Sequence, residues 1–464
     1  MYIYSILVIS MFVALLLLLL TGLPIPFVLA GVAMFFSLIG YLCDLYLGTM
    51  TGINFTTIGM LVNRLYALMA NWTYVAIPMF IFMGIMLEKS KMAEKMMVSV
   101  HKLFGKIHGG LAVTVTIIGI LLAASTGIVG ASVVLLGIMT IPTMIKEKYY
   151  PPFAAGTVCA SGTLGILIPP SIMLVAMADQ LAISVGDLFM GALIPGIILG
   201  GLYITYILIY CRIKPEVAPL SANIEPLSWS VIFEAFKSII PLMGLILLVL
   251  GTIFAGICTA TEASALGALG AIFLAWINKK LSFAMLKNVV IETFSIMGYV
   301  FAIFIFADAF ALILRMLGGD EVIGGFLLGL PFGPYGILFF IMLMVFFLGF
   351  FLDWMQITFI ILPILASAVS NLSYPLVKGY GVIDQPVLIW FTILVAICLQ
   401  TSFLTPPVGF SLFYLKGVCP PSVSLKDIFK GIIPFVFIQL IGLAIIIIWP
   451  NLVTWLPAVA YGVK

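Results

Sequence analysis

Charged residues are scarce in this sequence. Aspartate, glutamate, lysine and arginine make up only 8% of its 464 residues, whereas 64% are hydrophobic. An ordinary soluble domain is roughly 25% charged, so this chain lacks the polar side chains that would cover a soluble globule. A lipid bilayer accepts so much apolar surface, because a spanning helix of roughly 20 apolar residues satisfies its own backbone hydrogen bonds. The composition therefore predicts an all-α protein that crosses the membrane many times.

The sequence also lacks the clusters that metal sites, enzymes and nucleic-acid binding need. Its two histidines, His101 and His108, lie in a basic segment, and its six cysteines stand apart with no CxxC spacing. We expect solvated histidines and cysteines that are buried as small hydrophobic side chains. The net charge of +3 is spread over short segments, which excludes nucleic acid as a partner. A membrane-embedded enzyme is disfavoured, because no nucleophile, base or metal cluster occurs within a span.

Eight uninterrupted apolar runs predict simple membrane-spanning helices. They lie near Tyr4 to Leu20, Ile25 to Tyr41, Val75 to Leu87, Leu193 to Tyr210, Ile239 to Phe254, Ala263 to Ile277, Val289 to Leu314 and Ile432 to Trp449. Lysine and arginine cluster in other segments, and the positive-inside rule places those segments in the cytoplasm. Counting the spans from them predicts an N-terminus outside the cytoplasm. The first run has no basic start, so we expect it to be retained as a helix.

Four further apolar stretches are interrupted by glycine, proline and small polar residues. Residues 109–145 are too long for one helix yet begin and end beside lysines, which predicts a re-entrant helical hairpin with its tip at Ser125 to Ser132. Residues 335–369 repeat the pattern between lysine-poor segments, with a tip at Gly349 to Gln356. A helix broken by a Pro-Pro pair follows each hairpin, at 153–181 and at 387–415.

These paired interruptions predict an inverted repeat with a binding site between its halves. The first repeat would cover 1–211 and the second 238–464, joined by a cytoplasmic connector at 212–237. Proline removes a backbone donor, so each break frees carbonyl groups that can hold a cation such as sodium. The N-termini of the half-helices can receive an anionic group. Glycine and proline are common in membrane helices anyway, but two matched pairs favour a functional origin.

Three acidic residues lie in or beside apolar runs. Asp353 stands in the second tip, where a carboxylate is costly unless it is protonated, paired or bound to a cation. We favour a coupling-ion role for Asp353 over a structural cap. For Glu262, the capping of a helix start is favoured. Asp308 could make a polar contact within the helix bundle or be neutralised by Arg315, about two turns further on, and both alternatives stay open.

Eight short motifs recur here in the order and spacing of a known family. They are Thr21 to Phe27, Ala76 to Phe80, Gly109 to Ala112, Ile168 to Ser171, Thr259 to Ala263, Phe351 to Trp354, Phe403 to Gly409 and Gly431 to Phe435. The chain resembles, over nearly its whole length, the large membrane subunit of tripartite ATP-independent periplasmic (TRAP) transporters within the ion transporter superfamily. The resemblance implies an elevator-type carrier in the bacterial inner membrane that takes up a small organic acid with sodium. It also implies an extracytoplasmic substrate-binding protein and a separate small membrane subunit.

The resemblance further implies which residues form the transport site. Sodium, the coupling ion, would be held by Ser125, Thr126, Gly127, Ser161, Gly162, Thr163, Gly349, Asp353, Thr405 and Pro406, and the substrate side would include Ser132, Pro169, Pro170, Thr358, Ser402 and Pro407. No other cofactor is expected. Many family members carry an acidic residue just after the first tip, whereas this chain continues with Ser132 to Leu135, so a role for that acid is not carried over. A stand-alone anion or dicarboxylate carrier on the related fold, needing no binding protein, is the alternative.

Overall fold

The structure is a computed structural model that describes residues 2–126, 129–220 and 228–462. Every regular element within these ranges is helical, which confirms the predicted all-α architecture. Nine of the described helices are long and apolar enough to cross a membrane. Gly127 lies outside the described residues, and so do the side chains of Ser125 and Thr126.

The first half of the chain forms ten α-helices. They are α1 (Tyr2–Leu19), α2 (Ile25–Leu47), α3 (Phe55–Ala70), α4 (Ala76–Lys89), α5 (Met92–Phe104), α6 (Gly110–Thr126), α7 (Val129–Lys146), α8 (Pro151–Thr163), α9 (Ile172–Gln180) and α10 (Val185–Ile213). A short 3₁₀ helix, Trp72–Val75, leads into α4, and another, Leu164–Ile166, follows α8.

The second half forms eleven α-helices. They are α11 (Trp229–Phe254), α12 (Ala260–Ile277), α13 (Phe283–Met316), α14 (Gly319–Leu328), α15 (Pro334–Leu348), α16 (Trp354–Gln356), α17 (Leu362–Ser370), α18 (Pro386–Leu404), α19 (Phe410–Val418), α20 (Leu425–Ile448) and α21 (Asn451–Ala460). A π-helical turn, Ile357–Ile361, joins α16 to α17 without a gap.

The element order of the first half recurs in the second. Helices α1 and α2 correspond to α11 and α12, the pair α3 and α4 to the single long helix α13, and α5 to α14. Two helices meeting at a tip, a broken helix and one long helix then follow in each half. The packing is reciprocal: α2 packs on α13 and α12 on α4, while α8 packs on α20 and α18 on α10. A two-fold relation between the halves produces such an exchange of partners, so the packing supports the predicted repeat.

All eight predicted runs overlap observed helices, and the chain forms additional helices that the apolar pattern did not indicate. Helices α3, α5, α14 and α21 were not predicted. Helix α5 occupies most of the basic segment before the first hairpin, because one of its faces is apolar and packs against the bundle. Helix α11 begins at Trp229, so it takes up the end of the predicted connector.

Glycines let α8 and α20 approach each other closely. A Cβ atom on Gly156 would overlap the carbonyl oxygen of Gly431, and a Cβ on Gly431 would overlap the carbonyl oxygen of Pro152. Small residues commonly allow such close backbone contact between membrane helices. The broken helix of the first half is therefore closely packed against α20, the long helix that follows the broken helix of the second half.

Candidate functional site

A cavity of about 140 Å³ lies where both hairpins, both broken helices and α13 meet. It is lined by Ile81, Val129, Gly130, Ile172, Ile296, Tyr299, Val300, Asp353, Trp354, Met355, Phe403, Phe410 and Tyr414. The two tips predicted from sequence thus converge on one place, although they are more than 200 residues apart in the chain. Helix α13, together with Ile81 of α4, supplies the wall that belongs to neither hairpin nor broken helix.

Within the described residues, three helices begin at this cavity. Its lining includes Ile172, Trp354 and Phe410, which are the first residues of α9, α16 and α19. The residues before α9 and α19, Ser171 and Gly409, provide no side-chain hydrogen bond to the exposed N–H groups. Helix N-termini carry partial positive charge and unpaired N–H donors. The cavity therefore has the electrostatic character of an anion site.

Asp353 is the one charged side chain among the described lining residues. Its Oδ1 atom accepts a hydrogen bond from the backbone N–H of Trp354 at 2.8 Å, so the carboxylate caps the start of α16. This contact confirms the structural cap that was weighed for this residue. A coupling-ion role is not excluded by the cap, because an ionised carboxylate has about four acceptor sites. That role stays a prediction.

The end of α8 is packed between the two helices of the first hairpin. The hydroxyl of Ser161 is 3.1 Å from that of Thr116 on α6. A Cβ on Gly162 would come within 3.1 Å of the backbone nitrogen of Val133 on α7. Ser161, Gly162 and Thr163 are all buried, as is Ser132 on α7. Ser161 to Thr163, which were predicted for sodium, therefore lie beside α7, the helix that carries the predicted substrate residue Ser132.

The second half shows the same kind of contact. A Cβ on Gly349 would overlap Oγ of Ser402 on α18, so the backbone of the second hairpin lies directly against the broken helix. The hydroxyl of Thr405 donates to the carbonyl of Thr401 at 2.7 Å. Pro406 is partly buried and Pro407 is exposed. The second break thus touches its hairpin and is also open on one side.

In the first break, by contrast, both Pro169 and Pro170 are buried. The peptide bonds between the prolines of both pairs are cis. The two breaks thus share a backbone geometry but differ in exposure. One lies within the protein, and the other lines an accessible surface.

A serine hydroxyl replaces a missing backbone donor at each break. The hydroxyl of Ser171 donates to the carbonyl of Ile166, and that of Ser411 to the carbonyl of Phe403, both at 2.7 Å. Ile166 and Phe403 stand four residues before the second proline of their pair, so each carbonyl has lost the N–H that a helix would supply. These serines were not among the predicted site residues. A serine shortly after Pro-Pro in both halves was the available signal.

The two broken helices touch through a symmetric pair of polar residues. Nε2 of Gln400 donates to Oγ1 of Thr163 at 3.4 Å across 237 residues, the same offset that separates Pro169 from Pro406. The contact therefore lies on the two-fold relation between the halves. Oε1 of Gln400 is buried and has no hydrogen-bond partner within the described chain.

The second hairpin also carries buried polar atoms that lack partners within the described chain. They are both amide atoms of Gln356 and the hydroxyl of Thr358. Unpaired buried polar groups are costly, so each calls for an ion, a water or another donor or acceptor. Thr358 was a predicted substrate residue, whereas Gln356 and Gln400 were not. Thr358 lies in the π-helical turn, and such turns are frequent at functional sites.

A second cavity, of about 210 Å³, lies beside α9 at the opposite end of that helix from the first. Nδ2 of Asn71 donates to Oδ1 of Asp179 at 2.7 Å, and Nε2 of Gln180 donates to the hydroxyl of Tyr74 at 3.1 Å. These bonds join the end of a broken helix to the 3₁₀ helix before α4. They form a polar contact between a half-helix and the surrounding bundle.

Asp308 and Glu262 now have assigned partners. Asp308 forms an ion pair with Arg64 of α3 at 2.8 Å, so the polar contact within the bundle is confirmed. Neutralisation of Asp308 by Arg315 is wrong, because Arg315 instead faces Asp320 at 3.9 Å. Glu262 accepts from the N–H of Thr259 at 2.8 Å and completes a capping box at the start of α12, as predicted.

The histidines are less solvated than expected. Nε2 of His101 lies 3.4 Å from Oε1 of Glu147, and Nδ1 of His108 lies 3.2 Å from the carbonyl of Ala218. Both rings are partly buried, because α5 and the turn after it fold against the bundle. No group of three or more His, Cys, Asp or Glu residues is arranged as a metal site in the part of the chain described.

Comparison with known proteins identifies the family. Residues 12–452 match the model of the tripartite ATP-independent periplasmic transporter, DctM component. A C4-dicarboxylate TRAP transporter large permease protein from Vibrio cholerae is 30% identical over 418 residues, covering 85% of this chain and 88% of that protein. An ectoine TRAP transporter large permease protein from Halomonas elongata is 26% identical over 448 residues, covering 96% and 97%.

A solved structure shows the same fold. The crystal structure of the YdaH transporter of Alcanivorax borkumensis superposes with a TM-score of 0.55 at 13% identity, covering 87% of this chain and 88% of that one. The helical architecture, the site built from two tips and two breaks, and the match over nearly the whole sequence agree. The chain is a multi-pass membrane protein of the DctM family, the large permease component of TRAP transporters.

Proposed function

We propose that this permease takes up a small organic acid with sodium, receives it from an extracytoplasmic binding protein, and carries it by an elevator movement. The observation that supports this most is the first cavity, where Asp353 and the starts of α9, α16 and α19 lie between the hairpins and α13. Such a site at the interface of two repeats is where secondary transporters bind their substrates.

The division into a moving and a fixed unit follows the packing. The moving unit consists of α6–α9 and α15–α20, since α8 packs on α20. The fixed unit contains α3, α4, α12 and α13, because α3 and α4 pack on α13 and α12 packs on α4. Residues on both units line the cavity. A displacement of the moving unit along α13 would carry the cavity from one side of the bilayer to the other.

Sodium coupling is supported by charge and by the free carbonyl groups of the breaks. An anionic substrate would join Asp353 in a cavity whose described lining has no basic residue. Sodium prefers oxygen ligands, and the ends of α8 and α18 offer carbonyl and hydroxyl oxygens beside the tips. We propose that sodium binds at Ser161 to Thr163 with the first tip, and at Gly349, Asp353, Thr405 and Pro406 in the second half.

We propose two protein partners and an orientation. The relatives are named large permease proteins, and one from Oleidesulfovibrio alaskensis is named as an isethionate permease protein DctMQ. This chain matches 57% of that relative's length. We propose a small membrane subunit and a binding protein as partners, because the relatives are components of TRAP transporters. The complex would lie in the bacterial inner membrane, with the N-terminus of this chain outside the cytoplasm.

Uptake into proteoliposomes tests this function. Vesicles would contain this chain with its small subunit, with and without the binding protein and an inward sodium gradient. We expect accumulation only when both are present. Accumulation that needs neither would contradict the proposal and favour a stand-alone anion carrier on the same fold.

A further inference from the structure

We propose that a groove between α5, α11 and the end of α12 binds an anionic phospholipid, whose phosphate is held by Lys95 and Lys237. The apolar part of this interfacial groove includes Met92, Pro241 and Leu274. The groove shares no lining residue with either cavity described above. The lipid site is therefore independent of the proposed transport function.

The groove lies where a membrane-facing surface ends. Trp276 and Ile277 of α12 are each more than half exposed, and the charged residues Lys279 and Lys280 follow directly. Tryptophan and a change from apolar to basic residues are typical of the level of the lipid headgroups. Ile277 and Asn278 belong to this transition and also line the groove. The groove therefore opens at the depth of the phospholipid headgroups.

The acidic residues of the groove are offset by lysines beside it. Oε2 of Glu94 lies 3.8 Å from Nζ of Lys91, and Oε2 of Glu234 lies 3.7 Å from Nζ of Lys102. Lys91 and Lys102 are not part of the groove's lining. The charge of the two acidic residues is thus balanced from outside the groove, and the basic residues of the lining remain in excess.

The two lysines of the groove carry this excess positive charge. Nζ of Lys95 donates to Oδ1 of Asn278 at 2.9 Å, and this neutral amide positions the ammonium group without offsetting its charge. Lys237 has no hydrogen-bond or ion-pair partner among the described residues. Both lysine side chains are exposed. Lysine binds phosphate as a point charge, so the phosphate of a lipid headgroup matches this pair.

Apolar surface continues from the groove along the membrane-facing side of α11. Pro241 lines the groove, and Gly244 and Leu248, one and two turns further on, share its face of the helix. Leu248 is 45% exposed, and a Cβ on Gly244 would meet no atom within 4 Å. An acyl chain can lie on this face while its headgroup stays at the lysines. Basic pockets between membrane helices on the cytoplasmic side bind anionic headgroups in this way.

The test is native mass spectrometry of the purified permease with its small subunit, delipidated in a neutral detergent. The probes are phosphatidylglycerol, phosphatidylcholine with the same acyl chains, and glycerophosphoglycerol, which is the anionic headgroup without acyl chains. We expect phosphatidylglycerol to be retained at a concentration roughly fivefold or more below that of phosphatidylcholine, and glycerophosphoglycerol not to be retained. Equal retention of both lipids would overturn the proposal. Retention of glycerophosphoglycerol as tight as that of the lipid would also overturn it.

Lysine variants separate this groove from the remaining lipid-facing surface. Loss of one lysine near an anionic headgroup weakens binding roughly fivefold, so Lys95→Gln combined with Lys237→Gln should weaken binding of phosphatidylglycerol roughly twentyfold. Lys280→Gln combined with Lys287→Gln is the matched control, because both of these lysines are exposed and lie outside the groove. Equal weakening by the two pairs would show a general effect of surface charge and contradict the assigned site.

A variant with the opposite effect guards against loss of folding. Glu234→Gln removes a negative charge from the lining, so phosphatidylglycerol should bind more tightly than to the wild type. Weaker or unchanged binding would contradict the charge argument. If the small subunit covers the groove instead, the lysine variants will lose that subunit while the permease retains as much lipid as the wild type, and the proposal fails.

Discussion

At the scale of single residues, the chain compensates for the chemistry that proline removes. The hydroxyls of Ser171 and Ser411 bond the carbonyl groups that the Pro-Pro pairs deprive of their helical N–H. A break in a membrane helix would otherwise leave a buried acceptor without a partner. Only part of each break is therefore free to bind an ion.

Replacing these serines should destabilise the fold. Ser171→Ala and Ser411→Ala each leave a buried carbonyl without its partner, at a cost of roughly 1–3 kcal/mol. We expect lower melting temperatures in detergent for both variants. Ser264→Ala is the matched control, because the hydroxyl of Ser264 is also buried and bonds a carbonyl, that of Thr261, inside an intact helix. Equal losses in all three variants would show that the breaks need no such compensation.

Asp353→Asn separates the charge of this residue from its cap. Asparagine can still accept the hydrogen bond from the N–H of Trp354, so α16 should keep its start, while the negative charge is lost. We expect the variant to fold. Its initial rate of uptake, measured at a series of sodium concentrations, should no longer show the sodium dependence of the wild type. Asp427→Asn is the control, since Asp427 caps α20 outside the cavity. An unchanged sodium dependence of uptake in Asp353→Asn would contradict a role of Asp353 in coupling.

At the scale of elements, the ends of the broken helices connect the moving unit to the rest of the protein. Asn71 and Asp179 join the 3₁₀ helix before α4 to the end of α9. If α9 travels with the cavity, this bond has to break in every transport cycle. The contact between α8 and α20, in contrast, is close-packed backbone and has to persist.

Cross-linking tests which contacts open. In a cysteine-free background, Asn71→Cys with Asp179→Cys should be joined by a short bifunctional thiol reagent, and uptake should then fall to background. Arg64→Cys with Asp308→Cys is the control pair, because both residues line the same cavity but belong to the fixed unit. Full uptake by the cross-linked first pair would mean that α9 does not move relative to α4.

A larger side chain in the close contact between α8 and α20 should lower the stability of the fold, whether or not substrate is bound. A Cβ on Gly431 would overlap the carbonyl oxygen of Pro152, so Gly431→Ala forces α8 and α20 apart. Overpacking of this kind typically costs about 1–3 kcal/mol. We expect a clear drop in melting temperature, whereas Gly201→Ala, at an exposed position with open space around it, should have little effect. Equal melting temperatures would contradict the close-packed contact.

At the scale of the whole molecule, the sequence predicted those features of the fold that the bilayer constrains most strongly. Apolar runs and their interruptions indicated the spans, both hairpin regions and both breaks, because a bilayer tolerates irregular backbone only where protein covers it. The amphipathic helix α5 was not predicted, because the charged residues on one of its faces interrupt the apolar run that would indicate a helix. Its packing also explains why His101 and His108 are partly buried.

Contacts between distant parts of the chain could not be predicted. Arg64 pairs with Asp308 across 244 residues, and local spacing offered only Arg315 as a partner. The convergence of the starts of α9, α16 and α19 depends on how the repeats pack, so it is visible only in the folded chain. The sequence pattern indicated which helices are broken. Only the fold shows that the two broken helices lie next to each other.

The elevator movement of the first cavity is tested most directly by measuring whether the cavity is accessible from each side of the membrane in turn. A cysteine replacing Met355, which lines the cavity, would be labelled with a membrane-impermeant thiol reagent applied from either side of oriented vesicles. We predict labelling from both sides, with the balance between the two sides shifted by sodium and substrate. Labelling from one side only, whatever is bound, would contradict the elevator movement of this site.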